Sequence, residues 1–557
     1  MTLKELIDRV TERGRGPFLA AAVALFAGLL SAFTLPPTDR DESRFAEASA
    51  QMLESGDFTT IMFQEEPRFK KPVGIYWLQA ASVRLLSNVE ARTIWAYRVP
   101  SLLGAMLAAG ACAWGAAAFL RPYASTLAGA ILGASTALST EATIATTDAA
   151  LCGAVTLSMA ALGRIYLSAR SGPPVGGWTK ALFWLGLAGS VLLKGPIGPM
   201  VALLTIVALM VWERNAGWLK HLGWGWGLVI FFGLTLPWAV AITVATDGAF
   251  WGMAVAGDLA PKLVGGQEGH GAPPGYFVAL APVLLFPATL AAPAALAFAW
   301  RRRGAAPVRF AICWLAPSWL IFELAPTKLP HYTLPTFGAA AWLIAAALTE
   351  PVGPRARWIG AGLGLAVAIG IVVVGGFGAF QYGGWTSWIW LTGAGALFLA
   401  AAGAGAILLF RQRAGTALAV ACTLAVLAHG VLLGGFAPSL TSLWLSQRVA
   451  DGLAHTGLDP RGGLVVGPVS IAGYSEPSLV FALGASTVLG GATDAADAID
   501  EGRPAVVEQA DEAAFVKALS DRNLTARLVG VVSGLDYSTG HAQVLRLYEA
   551  APDQAPG

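Results

Sequence analysis

Charged residues are scarce in this chain. Lys, Arg, Asp and Glu make up 13% of its 557 residues, whereas an ordinary soluble domain carries about 25%. Hydrophobic residues make up 56%, and the mean hydropathy is +0.62. These values exclude a soluble globular protein. The net charge of only +2 provides no basic field of the kind that binds nucleic acid, so no nucleic-acid partner is predicted.

Cysteine and nucleotide-binding motifs are also scarce. The four cysteines, Cys112, Cys152, Cys313 and Cys422, lie within apolar runs, where a thiol behaves as a small hydrophobic group. We therefore predict that they are free and structural. No GxxxxGK[ST] or GxGxxG motif occurs between a strand and a helix, which argues against an ATP-driven pump. The first apolar run, 18–33, has no signal-peptide cleavage pattern and is predicted to remain as a membrane span.

Long apolar runs are what the sequence has in place of charge. Thirteen segments are predicted to cross a hydrocarbon core about 30 Å thick; they lie near 17–35, 96–120, 123–141, 146–168, 181–194, 196–212, 223–244, 276–299, 307–325, 331–349, 357–380, 388–410 and 415–437. The two shorter segments, 181–194 and 196–212, meet at Lys194-Gly195-Pro196, which is predicted to be a tight periplasmic turn. Lys and Arg concentrate in alternate short loops, which predicts those loops to be cytoplasmic. The pattern indicates a multi-pass protein of a bacterial inner membrane, with its functional site facing the periplasm.

The predicted fold class is an all-α polytopic membrane domain with a small C-terminal α/β domain. The membrane domain covers 17–440 and includes a first periplasmic loop, 36–95, and a later one, 245–275. Short β-rich runs and a helical stretch predict a periplasmic α/β domain over 445–557, in a structural role or as a lid and acceptor guide. Residues 1–16 form either a cytoplasmic amphipathic segment, in contact with membrane lipids, or a solvated tail.

The first periplasmic loop carries more cations than its predicted side of the membrane favours. Asp41 and Glu42 begin an amphipathic helix along the membrane surface that also contains Arg44; first-turn acids can simply favour the helix dipole, or they can form part of a site. Lys70 and Lys71 follow, before a second interfacial helix. Lysines at this depth can snorkel, but a pair flanked by acids favours a site for a lipid phosphate.

Three later segments add polar residues at the same membrane face. Asp148 begins a predicted span, as a helix cap or as a functional acid facing an external cavity. The glycine-rich stretch around His270, which follows Lys262, suggests a mobile flap. The stretch PTKLPHYTLP places three more polar residues at the mouth of a span: Lys328, His331 and Tyr332.

Four of these segments together resemble a known family. DESRFAEASAQMLESGDF, PRFKKPVGIYWLQA, TTDAAL and KLPHYTLP are similar to segments of the ArnT-like and protein O-mannosyltransferase-related bacterial membrane glycosyltransferases of the GT-C fold. The resemblance implies an inverting sugar transfer from a polyprenyl (undecaprenyl) phosphate carrier. The acceptor would be lipid A, lipopolysaccharide or another cell-envelope lipid or glycan, as in the 4-amino-4-deoxy-L-arabinose transferase branch.

The resemblance also implies roles for individual residues. Asp41 matches the acid that acts on or positions the acceptor, and Asp148 matches a second essential acid. Lys71 matches the lysine that holds the donor phosphate, which Tyr332 and Lys262 also contact. Position and charge add further candidates: Glu42 to the catalytic set, and Lys70, Arg44, Lys328, His331 and His270 to the donor-phosphate set.

The main alternative is a lipid or drug transporter without transferase activity. Transporters usually contain internal repeats or broken helices near the membrane midplane. No repeat is found here, and the charged residues gather at one membrane face. A non-enzymatic assembly scaffold is a weaker alternative, because it would not need acids and lysines at one face.

One departure from the family pattern concerns metals. Relatives of the aminoarabinose enzyme can have a glutamate just before the phosphate lysine and a histidine in the later periplasmic loop, which look like metal ligands. Here those positions are Lys70 and Leu259, and neither side chain can bind a divalent cation. The chain is therefore predicted to have no metal and no other cofactor.

We expect sugar transfer to survive EDTA and Lys70→Glu to impair it. A second positive unit charge about 4 Å from the Lys70 ammonium would cost roughly 4 kcal/mol at an effective dielectric of 20. The ammonium therefore either takes the place of the metal's charge beside the phosphate, or it points into water and pairs with Glu65 or Glu66. Transfer rates in detergent with and without EDTA are the measurement. Loss of activity in EDTA that zinc or magnesium restores would show that other residues, first of all His270 and Glu268, bind a metal.

Overall fold

The described chain is a helical membrane domain followed by a small mixed-sheet domain. The computed structural model describes residues 14–170, 172–265, 270–461 and 466–551. Within these ranges, eight helices are long and apolar enough to cross a membrane: Gly16–Thr34, Ile94–Ala116, Asp148–Ser168, Trp224–Ala245, Ala306–Leu324, Pro354–Tyr382, Trp385–Phe410 and Ala414–Ser439. A pair bent by 110°, Tyr276–Leu284 with Ala288–Arg302, raises the number to nine.

The other four predicted spans are helical but interrupted, short or less apolar. One is split into Pro122–Gly133 and Thr136–Glu141, and another into the 3₁₀-helix Pro330–Thr336 and the helix Phe337–Ala347. Gly177–Lys194 contains two lysines, and Ile197–Glu213 has 17 residues. Length and composition thus give eight or nine spans, not the thirteen predicted. The predicted tight turn between the last two helices is present, with Gly195 at φ +60°.

Close approach of two helices builds the centre of the membrane domain. A Cβ on Gly104 would lie 2.4 Å from the Ala150 Cα, so the helices Ile94–Ala116 and Asp148–Ser168 touch backbone to backbone. Small residues are the usual means by which membrane helices pack this closely. Because both helices begin at the same end of the domain, Asp148 lies near the segment that precedes Ile94.

The loop between the first two long helices forms a small folded layer. It contains the helices Asp41–Ser55 and Gly74–Leu86 and an antiparallel pair of short strands, Met62–Phe63 and Glu66–Pro67. The first helix was expected to be an amphipathic helix along the membrane surface. Its Glu47 is instead fully buried and accepts a 2.5 Å hydrogen bond from Arg92, because neighbouring elements cover the helix.

The second external loop is largely helical. Ala249–Trp251, the π-helix Gly252–Leu259 and Ala260–Val264 follow one another. The π-helix contains Asp258 and Leu259. Glu268, one of the two residues suspected as metal ligands, lies outside the described part of the chain.

The C-terminal domain has a five-stranded mixed sheet. Ser470–Ala472 pairs in parallel with both Val488–Gly490 and Ala505–Glu508, and His541–Ala550 pairs antiparallel with Ala505–Glu508 and Ala526–Asp536. Four helices pack with it: Leu445–His455, Pro477–Leu483, Ala492–Asp500 and Glu512–Asp521. The predicted β-run near 464–466 falls partly on residues outside the described part; two other predicted runs, 505–507 and 544–547, are strands.

The C-terminal domain docks on the first external loop through Phe481. This ring is 1% exposed, meets Tyr97 edge-on with 5.3 Å between ring centroids, and lies 5.8 Å from the Arg92 guanidinium. Nearby, the Gln64 amide donates to the carbonyls of Ala485 and Thr487 at 3.1 and 2.6 Å. The domain therefore braces the layer that carries Asp41 and Glu42.

We expect Phe481→Ala to loosen this docking, because removing a buried aromatic side chain costs about 3–5 kcal/mol. Hydrogen–deuterium exchange should rise in 41–55 and in 477–483, with a lower midpoint of thermal unfolding. Val516→Ala is the matched control, because that side chain is 54% exposed and should leave both readouts unchanged. Unaltered exchange in the Phe481 variant would contradict the bracing role.

Candidate functional site

A polar cavity of about 260 Å³ lies where the external loops meet the ends of the long helices. It is lined by acids, lysines and histidines from six separate segments of the chain. Its ionisable lining residues are Asp39, Asp41, Glu42, Arg68, Lys70, Lys71, Glu141, Asp148, Lys194, Asp258, Lys262, His270, His331 and Tyr332. Most come from segments that the sequence marked as candidates.

A buried ion pair fixes the acidic side of this cavity. Arg98 is fully buried and donates to both Glu42 carboxylate oxygens, from Nε at 2.7 Å and from NH2 at 2.9 Å. Glu42 also accepts from the backbone N–H groups of Thr38 and Ala145 at 2.8 and 2.7 Å. Because its lone pairs are occupied by these donors, Glu42 positions the segments around it and is poorly placed to accept a proton from a substrate.

Two lysines in the cavity lining gather around one carboxylate. Asp258 accepts from Lys71 and from Lys262, at 2.7 Å each. Burial lowers the pKa of Lys71 to about 8, and the neighbouring charges of Lys262 and Lys194 add to the fall while Asp258 opposes it. Burial alone would raise the pKa of Asp258, but the two lysines hold it below its usual value. The carboxylate thus occupies a position where two lysines can bind an anion.

A third lysine completes this group. Lys194 donates to Asp148 Oδ1 at 2.6 Å, and its Nζ lies 5.2 Å from the centroid of the Tyr332 ring. The ion pair and the ring together set the direction of the Lys194 side chain. Asp148 therefore acts at this point as an anchor for a cation, in addition to lining the cavity.

His331 lies between two carboxylates. Its Nδ1 is 3.2 Å from Glu141 Oε1, and its Nε2 is 3.7 Å from Asp148 Oδ2. Within the described residues, Glu141, Asp148 and His331 are also the set whose ligand atoms, all within 4.8 Å of one another, could hold a metal ion. The imidazole, however, directs one nitrogen to each acid, and Lys194 already pairs with Asp148. These contacts fit a hydrogen-bonded chain better than a shared cation.

Asp41 lies at the open side of the cavity. Its side chain is 68% exposed and lies 3.6 Å from the NH2 group of Arg68. The Arg68 guanidinium stacks 4.7 Å above the Phe45 ring, and its buried Nε has no hydrogen-bond partner. Asp41 is thus the most accessible of the three acids predicted to be catalytic, next to a cation held by an aromatic ring.

Asp39 connects the cavity to the C-terminal domain. Its carboxylate accepts from the Ser478 hydroxyl, and its backbone N–H donates to the Tyr537 hydroxyl at 2.6 Å. Burial raises the pKa of Asp39 to about 6. The cavity rim is therefore shared between the first external loop and the C-terminal domain.

The structure brings most of the predicted site residues together and leaves two out. Asp41, Glu42, Asp148, Lys70, Lys71, Lys262, His270, His331 and Tyr332 line the cavity, with Lys70 exposed at its edge. Arg44 is half-buried and does not line it. Lys328 is 3% exposed and donates to the carbonyls of Ala272 and Ala325 at 2.8 and 2.5 Å, so backbone carbonyls hold its ammonium and it does not line the cavity.

Sequence reasoning missed five lining residues with clear contacts: Asp39, Arg68, Glu141, Lys194 and Asp258. Lys194 was interpreted as part of a tight turn, and its position at the external end of a helix was the available signal. Arg68 and Asp258 stand in the two external loops, where charge against the topological bias pointed to them. Glu141 had no signal in the sequence, because it ends an apolar helix.

Comparison with known proteins identifies the fold of this chain. Residues 18–251 match the family model described as dolichyl-phosphate-mannose-protein mannosyltransferase. The crystal structure of ArnT from Cupriavidus metallidurans bound to undecaprenyl phosphate superposes with a TM-score of 0.76 at 20% identity, over 97% of this chain and 99% of that one. This chain has the ArnT fold. The resemblance stated from the sequence is thereby confirmed.

The relatives found by sequence match a smaller part of this chain than the ArnT structure does. The undecaprenyl phosphate-alpha-4-amino-4-deoxy-L-arabinose arabinosyl transferases of two Pseudomonas aeruginosa strains are 29% identical over 313 residues and 30% identical over 314. The one from Erwinia tasmaniensis is 28% identical over 337 residues, or 60% of this chain and 59% of the relative. The chain spans about 55% of the length of the two P. aeruginosa relatives. The comparisons therefore show that this chain is similar to ArnT in sequence and in fold.

The pKa of Lys71 predicts how anion binding in the cavity depends on pH. A protonated Lys71 attracts phosphate, so affinity for a short alkyl phosphate should fall as pH rises through about 8. Asp258→Asn removes the carboxylate that raises this pKa, so the fall should begin at lower pH. Isothermal titration calorimetry between pH 6 and 9 is the measurement.

Asp247→Asn is the matched control for this experiment. It makes the same substitution in the same loop, at an exposed residue that does not line the cavity. Its pH profile should follow that of the unmodified chain. Superimposable profiles for all three proteins would contradict the link between Asp258 and Lys71.

Proposed function

We propose that this chain is an ArnT-like glycosyltransferase that moves a sugar from a polyprenyl-phosphate carrier to a cell-envelope acceptor. The observation that carries the proposal is that Lys71, Lys194 and Lys262 line one cavity together with the exposed Asp41. Three lysines suit a phosphate, and an accessible acid suits an acceptor. The name of the P. aeruginosa relatives and the undecaprenyl phosphate of the Cupriavidus ArnT structure support a polyprenyl-phosphate donor.

The donor phosphate takes the place of the Asp258 carboxylate. Lys71 and Lys262 each lie 2.7 Å from that carboxylate, so a phosphate entering between them would accept the same hydrogen bonds. Lys194 adds a third charge, held near Tyr332. When the bond between the anomeric carbon and the phosphate oxygen breaks, these cations stabilise the charge that develops on the leaving phosphate.

Asp41 serves the acceptor. The acceptor oxygen attacks the anomeric carbon from the side opposite the phosphate, so the configuration inverts. A hydroxyl acceptor gives its proton to the Asp41 carboxylate; a phosphate acceptor has no proton to lose, and Asp41 then only orients it. Asp148 holds Lys194, and Glu42 holds the loop, so both act as positioning residues.

The acceptor is a lipid or glycan of the cell envelope, and lipid A is one member of that class. Lys70 at the cavity edge and Leu259 in the π-helix replace the pair that looks like metal ligands in relatives, so we propose that transfer needs no metal. Glu141, Asp148 and His331 remain the set to mutate if a metal requirement is found.

The topology belongs to the same proposal. Thirteen membrane crossings, with the four interrupted or short helices counted, would place the cavity and the C-terminal domain in the periplasm. The membrane domain would span 17–440 and would carry the periplasmic loops 36–95 and 245–275. The C-terminal domain would span 445–557, and 1–16 would be a cytoplasmic segment. A donor carried by a lipid is consistent with this placement, because the periplasm contains no nucleotide sugars.

The test is sugar transfer from a synthetic polyprenyl-phosphate donor by the full-length protein in detergent. Lys71→Ala should lower kcat/KM by roughly tenfold to a hundredfold, because a charged hydrogen bond to phosphate contributes about 1.5–3 kcal/mol. Lys71→Arg should keep part of the activity. Lys517→Ala, at an exposed lysine of the C-terminal domain, is the control.

Two results would contradict the proposal. Full activity in Lys71→Ala would remove this lysine from the mechanism. Movement of the lipid across a vesicle bilayer without sugar transfer would favour the transporter alternative.

A further inference from the structure

A second cavity lies at the opposite end of the membrane domain from the candidate site. It measures about 1330 Å³, against about 260 Å³ for the site cavity. Three segments form its walls: the start of Pro122–Gly133, the end of Phe337–Ala347 with the residues after it, and the first turns of Ala414–Val431. The arginine distribution predicts this end to be cytoplasmic, so the cavity takes no part in chemistry at the other membrane face.

The cavity walls are apolar over a length that matches one membrane leaflet. The apolar lining residues are Phe119, Leu120, Leu127, Ala345, Leu348, Ala419, Val420 and Leu424. From Ala414 to Leu424 the lining follows one helix for ten residues, about 15 Å at 1.5 Å per residue. Half of a hydrocarbon core about 30 Å thick is the same distance.

The mouth of the cavity is positively charged. Arg121 and Arg413 line it and are exposed. Glu350 is the one acid among the described lining residues, and it is already paired with two further arginines, Arg301 at 3.3 Å and Arg302 at 2.7 Å. Because Glu350 is paired with Arg301 and Arg302, it does not compensate Arg121 and Arg413, which leaves an excess of positive charge where the apolar groove opens.

A glycine keeps the groove open at its mouth. A Cβ on Gly415 would lie 2.9 Å from Cε1 of the Tyr123 ring, so only glycine lets the ring lie against the start of the helix. A groove with apolar walls and a cationic rim matches an amphiphile with an anionic head and a hydrocarbon tail, and basic pockets between membrane helices on the cytoplasmic side are known to bind such headgroups.

We infer that this groove binds an anionic glycerophospholipid of the cytoplasmic leaflet, with its phosphate on Arg121 and Arg413 and an acyl chain along Ala419, Val420 and Leu424. The length of the groove favours this lipid over a polyprenyl phosphate, because an undecaprenyl chain is much longer than one leaflet. The excess of arginine favours an anionic over a zwitterionic headgroup. A bound lipid would hold together three helices that make contact below the groove.

A contrast within the same face supports the assignment. Another cavity at this end, of about 510 Å³, is lined by Arg170 and Arg309, but both arginines pair with Glu213. Its remaining lining is mostly polar, with Asn215, Lys220 and His221. It lacks the apolar walls that a hydrocarbon tail requires, so the lipid assignment belongs to the larger groove.

Native mass spectrometry of the full-length protein, titrated with palmitoyl-oleoyl phosphatidylglycerol, tests the inference. We expect one phosphatidylglycerol retained per chain, with at least tenfold weaker binding of phosphatidylcholine. The double variant Arg121→Gln/Arg413→Gln should weaken phosphatidylglycerol binding at least tenfold. The control Lys220→Gln/Arg303→Gln removes two positive charges from the same face outside the groove and should bind as the unmodified chain does.

A second variant separates the tail from the headgroup. Ala419→Phe fills the groove without changing charge, and it should also lose the retained lipid, while thermal unfolding without added lipid reports whether each variant is folded. Inorganic phosphate should not compete at equal concentration, because it has no tail.

Three outcomes would overturn the inference. One is equal binding of phosphatidylglycerol and phosphatidylcholine by the unmodified chain. Another is unchanged binding in folded groove variants. The third is displacement of phosphatidylglycerol by undecaprenyl phosphate with higher affinity, which would assign the groove to the carrier lipid.

Discussion

The buried pair between Arg98 and Glu42 is the interaction on which the rest of the site depends. Arg98 donates to Glu42 and also to the carbonyls of Leu35 and Pro36, while Glu42 accepts the backbone N–H of Ala145. The end of the first long helix, the start of the loop helix and the segment before Asp148 are therefore tied to one guanidinium. Removing either partner would leave a buried, unpaired charge, which is strongly destabilising.

Charge balance is the second constraint on the cavity. Three lysines close together repel one another, and the low pKa of Lys71 reflects both that repulsion and burial. Asp258 and Asp148 compensate part of this charge, because the first pairs with Lys71 and Lys262 and the second with Lys194. An anionic ligand that displaces Asp258 would be received by cations already held in place, at little cost in reorganisation.

The C-terminal domain also holds the loop that carries the acids in place. Its Phe481 fills a pocket beside Tyr97 and Arg92, and Ser478 reaches the Asp39 carboxylate at the cavity rim. The loop that carries the acids is thus held from the membrane side by Arg98 and from the outer side by this domain. Sequence composition alone assigned the domain no more than a structural or lid role, because docking through one aromatic ring leaves no periodic signal.

Sequence by itself determined the class of protein, the positions of the apolar helices and the segments that carry the site, because hydrophobic periodicity and charge against the topological bias are local properties. Tertiary structure decided which members of each segment face one cavity. Lys328 and Arg44 looked equivalent to Lys71 in the sequence, yet backbone carbonyls hold the first and the second lies off the cavity. Lys194 and Glu141 entered the site only because helix packing brought distant helix ends together, and contacts over such separations have no local pattern.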